Sequence, residues 1–193
     1  MLSTSSVEVH RNGVLPFIVA FEKFPRLAHR ILVQHGICVD DGKGGVSFVG
    51  EWFSLRDWLA TLGSIKREIG PNALYKCGES IMANAAFPPD LRDVQAALAS
   101  IDIAYHAMHR LGGRPTLDPK EATTLEGIGH YAVAQASLPD RRIEMIVDTP
   151  YDCTAEVGMV LGMAKRFEPR ATISHAPGCR MEGAPRCTFV VEW

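Results

Sequence analysis

At 193 residues, 47% of them hydrophobic and 22% charged, the chain has the size and make-up of one globular domain with a substantial core. A formal net charge of -2, with basic residues scattered rather than clustered, speaks against nucleic acid as a partner. The N-terminal stretch lacks a basic region followed by a long apolar run, so neither a signal peptide nor a membrane span is expected. The five cysteines are then expected as thiols or metal ligands in the cytoplasm.

Residues 1–53 mix short apolar runs with turn chemistry. In "GICVDDGKGGVSFVGEWF" two β-rich segments flank "DDGKGG", whose Asp-Gly and Gly-Gly steps supply the positive φ angles of a hairpin turn. The turn lacks the GxxxxGK[ST] pattern of a phosphate loop. The apolar content of this segment predicts a dimerisation arm, and hence a homodimer.

Ser54 and Asp57 resemble a capping box for "SLRDWLATLGSIKREIG", where Leu55, Trp58, Leu59, Leu62, Ile65 and Ile69 recur at helical spacing. Gly70 and Pro71 end that helix. A shorter helix in "NALYKCGESIMANAAF" is closed by Pro88 and Pro89. Asp90 then opens the longest one, "DLRDVQAALASIDIAYHAMHRLGG", stopped by Gly112 and Gly113. Beyond it the period drops towards two. "ATTLEGIGHYAVAQASL" and "RRIEMIVDT" read as strands. Thr149 and Pro150 start a helix over "YDCTAEVGMVLGMAKRF", in which Gly158 and Gly162 permit close backbone approach, and "RATISHA" and "CTFVVEW" finish as strands. This order predicts an α+β domain: an antiparallel sheet with helices packed on one face, plus an N-terminal hairpin.

Three thiols stand out. Cys153 falls in the first turn of a helix, where the helix dipole is expected to lower a thiol pKa. Cys179 and Cys187 bracket one loop. With His175, Glu182 or Asp152 as a fourth ligand they could form a tetrahedral zinc site; as three buried thiols they need no metal. C-x7-C is not a usual zinc spacing. Asp102, His106 and His109 are spaced by four and three residues, which puts them on one helical face able to hold a metal or haem iron or to hydrogen-bond a ligand; the alternative is a solvated polar stripe. Met108, Met145, Met159, Met163, Phe167, Trp52 and Trp58 suit either an adaptable apolar pocket or a core. GxSxG, HExxH and GxGxxG are all missing, so no hydrolase, zinc-protease or dinucleotide motif is present.

Residues 70–193 resemble the 4-vinyl-reductase-like domain, a small-molecule-binding module of the superfamily that includes haem nitric-oxide-binding-associated and vesicle-tethering folds. The resemblance is carried by "LYKCGESI", "YHAMHRLGG", "TPYDC" and "CRMEGAPRCTFVVEW". In the phenol-sensing members three cysteines and a glutamate hold a structural zinc, which implies Cys153, Cys179 and Cys187 as their counterparts. At the glutamate's position stands Ala176, with His175 beside it, and alternation along a strand lets His175 substitute only where the strand bulges or ends. The resemblance also implies a ligand pocket lined by His106 and Tyr131, with Tyr105 and His109 as neighbouring candidates for a bound cofactor.

These features together imply a non-enzymatic sensor in which residues 54–193 bind an apolar or aromatic molecule, zinc braces the C-terminal hairpin, and a signalling partner supplies the output. The alternatives are an enzyme or accessory factor of tetrapyrrole metabolism, and a haem-binding gas sensor using His106 or His109.

Overall fold

The structure, a computed structural model, describes residues 6–20, 24–85, 91–121 and 123–193. The chain runs β1 (Val7–His10), α1 (Arg11–Ala20), α2 (Pro25–Gln34), β2 (Cys38–Asp40), β3 (Val46–Phe48), β4 (Trp52–Ser54), α3 (Leu55–Glu68), α4 (Pro71–Asn84) and α5 (Val94–Ala107). It continues with β5 (His109–Leu111), β6 (Arg114–Pro115), β7 (Leu117–Asp118), β8 (Thr123–Thr124), β9 (Tyr131–Ser137), β10 (Arg142–Val147), α6 (Cys153–Lys165), β11 (Thr172–His175) and β12 (Cys187–Glu192).

The architecture is α+β. One antiparallel sheet has the order β11-β12-β10-β9 and a second has the order β4-β1-β5-β6. In the first, β10 and β12 pair Ile143 with Val191 and Met145 with Phe189, and all four side chains are buried. That is the period-two pattern seen in the sequence, its apolar face turned to the helices. The expected hairpin joins β2 to β3, with Gly42 and Gly44 at φ of 70° and 88°.

Helices α4 and α6 pack at backbone distance. A Cβ built on Gly78 would lie 2.1 Å from the Ala155 carbonyl oxygen, and one on Gly158 would lie 2.1 Å from that of Tyr75. Only glycine permits this approach.

Several expectations need correction. β1 lies between β4 and β5, so residues 7–10 form an interior strand of the second sheet. The apolar run after it forms α1, and α2 follows. Ser54 is the N-cap of α3 but makes no side-chain cap hydrogen bond. α6 starts three residues later than Pro150; Asp152 caps it by accepting from the Thr154 N–H at 2.9 Å. The helix expected to run to Gly112 ends at Ala107, because His109–Leu111 pair with Val7–Val9 as β5. Its expected start at Asp90, with Pro88 and Pro89, lies outside the described residues; α5 is capped by Asp93, which accepts from Ala96 N–H at 2.7 Å.

Candidate functional site

A cavity of about 390 Å³ opens among α1, α4, α5, α6 and the two sheets, walled by Val9, Phe17, Ile81, Met82, Ile101 and Met159. Its polar groups are Asn12, Tyr105, His109, Tyr131 and Tyr151. This is the size and character of a small-molecule pocket, mostly apolar with a few converging polar atoms.

His109 is the central polar group. It follows the end of α5, so its ring folds back and Nδ1–H donates to the Tyr105 carbonyl at 2.6 Å, while Nε2 accepts from the Tyr151 hydroxyl at 2.8 Å. Burial pushes its pKa down to about 4, and the imidazole is neutral in the cavity wall. The Tyr105 hydroxyl donates to the Ile128 carbonyl at 2.6 Å. Tyr131 is fully buried beside it, ring centroids 5.4 Å apart.

Of the four residues expected around a ligand, Tyr105, His109 and Tyr131 line the cavity. His106 does not. Its ring is fully buried but turned to the Thr116 carbonyl, 3.2 Å from Nδ1, and to His130 Nδ1, 3.2 Å from Nε2. The single stripe expected of Asp102, His106 and His109 fails because α5 stops between the two histidines. Tyr151 and His130 were not singled out in the sequence. Each is distant in the chain from its partner, and no spacing rule links them.

The thiols do converge. Cys153 is the first residue of α6, Cys179 precedes a 3-10 turn at Arg180–Glu182, and Cys187 opens β12. Cys153 Sγ and Cys179 Sγ are 3.4 Å apart, and the donor atoms of Cys153, His175, Cys179 and Cys187 all lie within 4.8 Å of one another. His175 is the last residue of β11, so strand alternation does not hold it away. Its Nδ1–H donates to the Ala176 carbonyl at 2.7 Å, which leaves Nε2 as the donor atom. Glu182 and Asp152 fall outside this group. The Cys153 thiol is pushed up to about 12, by burial first and then by Cys179, rather than lowered by its helix.

Behind both features Glu156 is fully buried. It accepts from the Thr149 hydroxyl, and from Arg180 at 2.8 Å, while the same guanidinium donates to the Tyr151 carbonyl at 2.8 Å. This network joins the residue after Cys179 to the cavity wall at Tyr151.

The element order, the two sheets and the cavity between helices and sheet decide the comparison with solved structures. The chain has the H-NOX fold. The Fe(II) unliganded H-NOX protein mutant from K. algicida superposes with a TM-score of 0.63 at 14% identity, covering 95% of each chain. An H-NOX protein from S. oneidensis in the Fe(II)NO ligation state gives 0.62 at 15% identity, over 93% of this chain and 95% of that one. A structure probing haem distortion in the H-NOX family gives 0.64 at 11% identity, over 93% and 92%. Comparisons with protein-family models and with curated proteins find no match. They do not support the resemblance to the 4-vinyl-reductase-like domain. Among the described residues no helix is long and apolar enough to cross a membrane.

Proposed function

We propose that this H-NOX-like chain is a small-molecule sensor domain whose ligand occupies the cavity beneath α5. One observation carries the reading: a mostly apolar cavity holds a buried, neutral His109 hydrogen-bonded to Tyr151. Such a pair can exchange its internal hydrogen bond for one to a ligand hydroxyl, and the apolar wall accepts the ligand's body. An apolar or aromatic molecule with one polar head fits. Calorimetry with a panel of phenols, fatty acids and porphyrins tests this. A phenol should bind, and His109→Ala should weaken it by about 1 to 3 kcal/mol. Unchanged binding by that variant would overturn the assignment.

The alternative, a haem-binding gas sensor, is the reading that the comparisons support better. The fold favours it, since the H-NOX neighbours are iron and haem proteins. His109 favours it as well. An imidazole in a cavity wall whose Nδ1–H is anchored on a carbonyl keeps Nε2 as an acceptor, here for the Tyr151 hydroxyl, and that is the tautomer of a metal-ligating histidine. His109 would hold the iron, and the haem would supply a site for a diatomic gas. The fit ends there: no Lys or Arg is among the described lining residues to meet the porphyrin's two carboxylates. A Soret band in the freshly purified protein that is lost in His109→Ala would establish the second reading over the first.

The thiol cluster carries a separate, structural proposal. Cys153, Cys179, Cys187 and His175 supply three sulfurs and one nitrogen, a donor set suited to tetrahedral zinc. The ion would brace the loop between β11 and β12 against the start of α6. Metal analysis under reducing, chelator-free conditions should find about one equivalent of zinc that is lost in Cys179→Ser, and less than about a tenth of an equivalent would refute it. Cys179→Ser should then lower thermal stability more than Cys38→Ser.

A further inference from the structure

Ile101, Ala104, Tyr105 and Met108 face the cavity, and Asp102 and His106 occupy a different face of the same helix. There Asp102, His106 and His130 bring three donor atoms within 4.8 Å of one another. We propose that these three residues form a divalent-metal site of two imidazoles and one carboxylate, distinct from the thiol cluster and from the cavity.

The hydrogen-bond partners set which atoms face the site. His106 Nδ1 lies 3.2 Å from the Thr116 carbonyl and His130 Nε2 lies 3.1 Å from the Glu126 carboxylate. Both partners can only accept, so both of those nitrogens carry the proton. In the neutral rings His106 Nε2 and His130 Nδ1 are then lone pairs, and they point at each other across 3.2 Å. Asp102 adds a third acceptor, with Oδ2 at 3.3 Å from His130 Nδ1 and Oδ1 at 3.8 Å from His106 Nε2. Three acceptors converge with no donor among them. A proton on His130 satisfies part of this arrangement; a cation satisfies all of it.

The separations are close to those of a metal site. Ligand atoms about 2.0 to 2.1 Å from a tetrahedral ion stand roughly 3.3 Å apart; the two imidazole nitrogens are 3.2 Å apart, and the Asp102 carboxylate reaches one with Oδ2 at 3.3 Å and the other with Oδ1 at 3.8 Å. Each ligand also has an orienting partner. His130 is backed by a carboxylate, His106 by a carbonyl, and Asp102 Oδ1 accepts from the Tyr131 N–H at 2.8 Å. Outer contacts of this kind fix the ring orientation and raise the basicity of metal ligands. The buried His106 forms the floor, while the His130 and Asp102 side chains are 27% and 20% exposed, which gives an ion an entry path. Two imidazoles and a carboxylate select first-row ions of the zinc, cobalt and nickel class over magnesium or calcium. Three protein ligands leave positions open for water or a small anion.

Cobalt(II) separates this site from the thiol cluster in one titration of the full, reduced, metal-free chain. Cobalt on thiolates gives intense sulfur-to-metal charge transfer in the near ultraviolet; cobalt on nitrogen and oxygen gives only weak visible bands. The expected result is a binding event without the charge-transfer band, weakened at least about tenfold in His130→Gln. Any thiolate band should be unchanged in that variant. Asp102→Asn, which can still accept the Tyr131 N–H, should have the same effect, and unaltered circular dichroism would show both variants folded. Cobalt binding only with thiolate character, no cobalt binding at all, or parent-like binding by both folded variants would overturn the site. Should the thiol cluster prove metal-free, the nitrogen–oxygen event and its loss in His130→Gln would still stand as evidence for it.

Discussion

Two neighbouring regions present the same side chain to opposite surroundings. In the cavity wall, His109 meets a carbonyl and a phenol hydroxyl and no formal charge, and burial pushes its pKa down to about 4. Beside α5, His130 sits between Asp102 and Glu126. Burial opposes its charge, but the two carboxylates outweigh that and raise its pKa. His106 stands between these cases, lowered by burial with partial relief from Asp102. The difference teaches how the fold allocates polarity: charge is kept out of the ligand cavity and gathered on another face of the helix that walls it. One region suits a neutral molecule and the other a cation.

The largest expected effect comes from breaking one region and sparing the other. Gly158→Ala places a methyl group 2.1 Å from a backbone oxygen of α4, where no side-chain adjustment can relieve it. Helices α4 and α6 must separate, and they carry the cavity residues Ile81, Met82 and Met159. Overpacking of this kind should cost at least about 3 kcal/mol in denaturant unfolding. Ligand binding in the cavity should fall with it. Cobalt affinity at Asp102, His106 and His130 should hold, because none of those residues belongs to α4 or α6. Parallel loss of both would show that the two regions are not independent.

The two regions also differed in how far they could be read from sequence. The first sheet was legible where period two is strong: "RRIEMIV" and "CTFVVE" became β10 and β12, and "DDGKGG" became the hairpin turn. α1 was not, because a short apolar run with Pro16 inside it carries no clear helical period; α2 was missed although Ala28, Ile31 and Leu32 recur at helical spacing on its buried face. β5 was hidden for a different reason. "HRL" continues a helical pattern without a breaker, and pairing with Val7–Val9 overrides the local preference. The thiols could be picked out because cysteines are few and their roles limited, but the sequence left His175, Glu182 and Asp152 open beside them, and only the fold brings the His175 donor atom within 4.8 Å of all three sulfurs. His109 and Asp102 were chosen but put on one face, while His130 and Tyr151 come from the residue before β9 and the approach to α6. Only the tertiary fold brings those partners to α5.

The pH dependence of stability sharpens the comparison through its sign. The folded pKa of His109 is displaced from its ordinary 6.5 to about 4. Between those values the unfolded chain binds the extra proton, so stability rises with pH, is complete above 6.5, and is lost as pH falls towards 4. The displacement is worth about 3 kcal/mol. His130 has the opposite sign: its folded pKa is raised, so its contribution is present below its ordinary value and lost as pH rises through the folded one. Melting temperature measured against pH on the metal-free protein should lose its acid-side slope in His109→Gln. In His130→Gln the decline on the alkaline side should flatten instead. Identical profiles for the two variants would erase the distinction between the regions.

The smallest effect isolates one atom pair in the cavity. Tyr151→Phe keeps the ring and its packing but removes the hydroxyl that donates to His109 Nε2 at 2.8 Å. Nε2 is then a buried acceptor without a donor, at a cost of about 1 kcal/mol in the ligand-free protein. The same vacancy is what a ligand hydroxyl would fill. Binding of a phenol should therefore be held or strengthened in Tyr151→Phe, because no internal hydrogen bond has to be broken first, and saturating phenol should recover the lost stability. Cobalt binding at His130 should not change. Denaturant titrations with and without phenol read all of this from one pair of proteins. A variant that loses stability and also binds phenol more weakly would mean that Tyr151, rather than His109, holds the ligand's polar head.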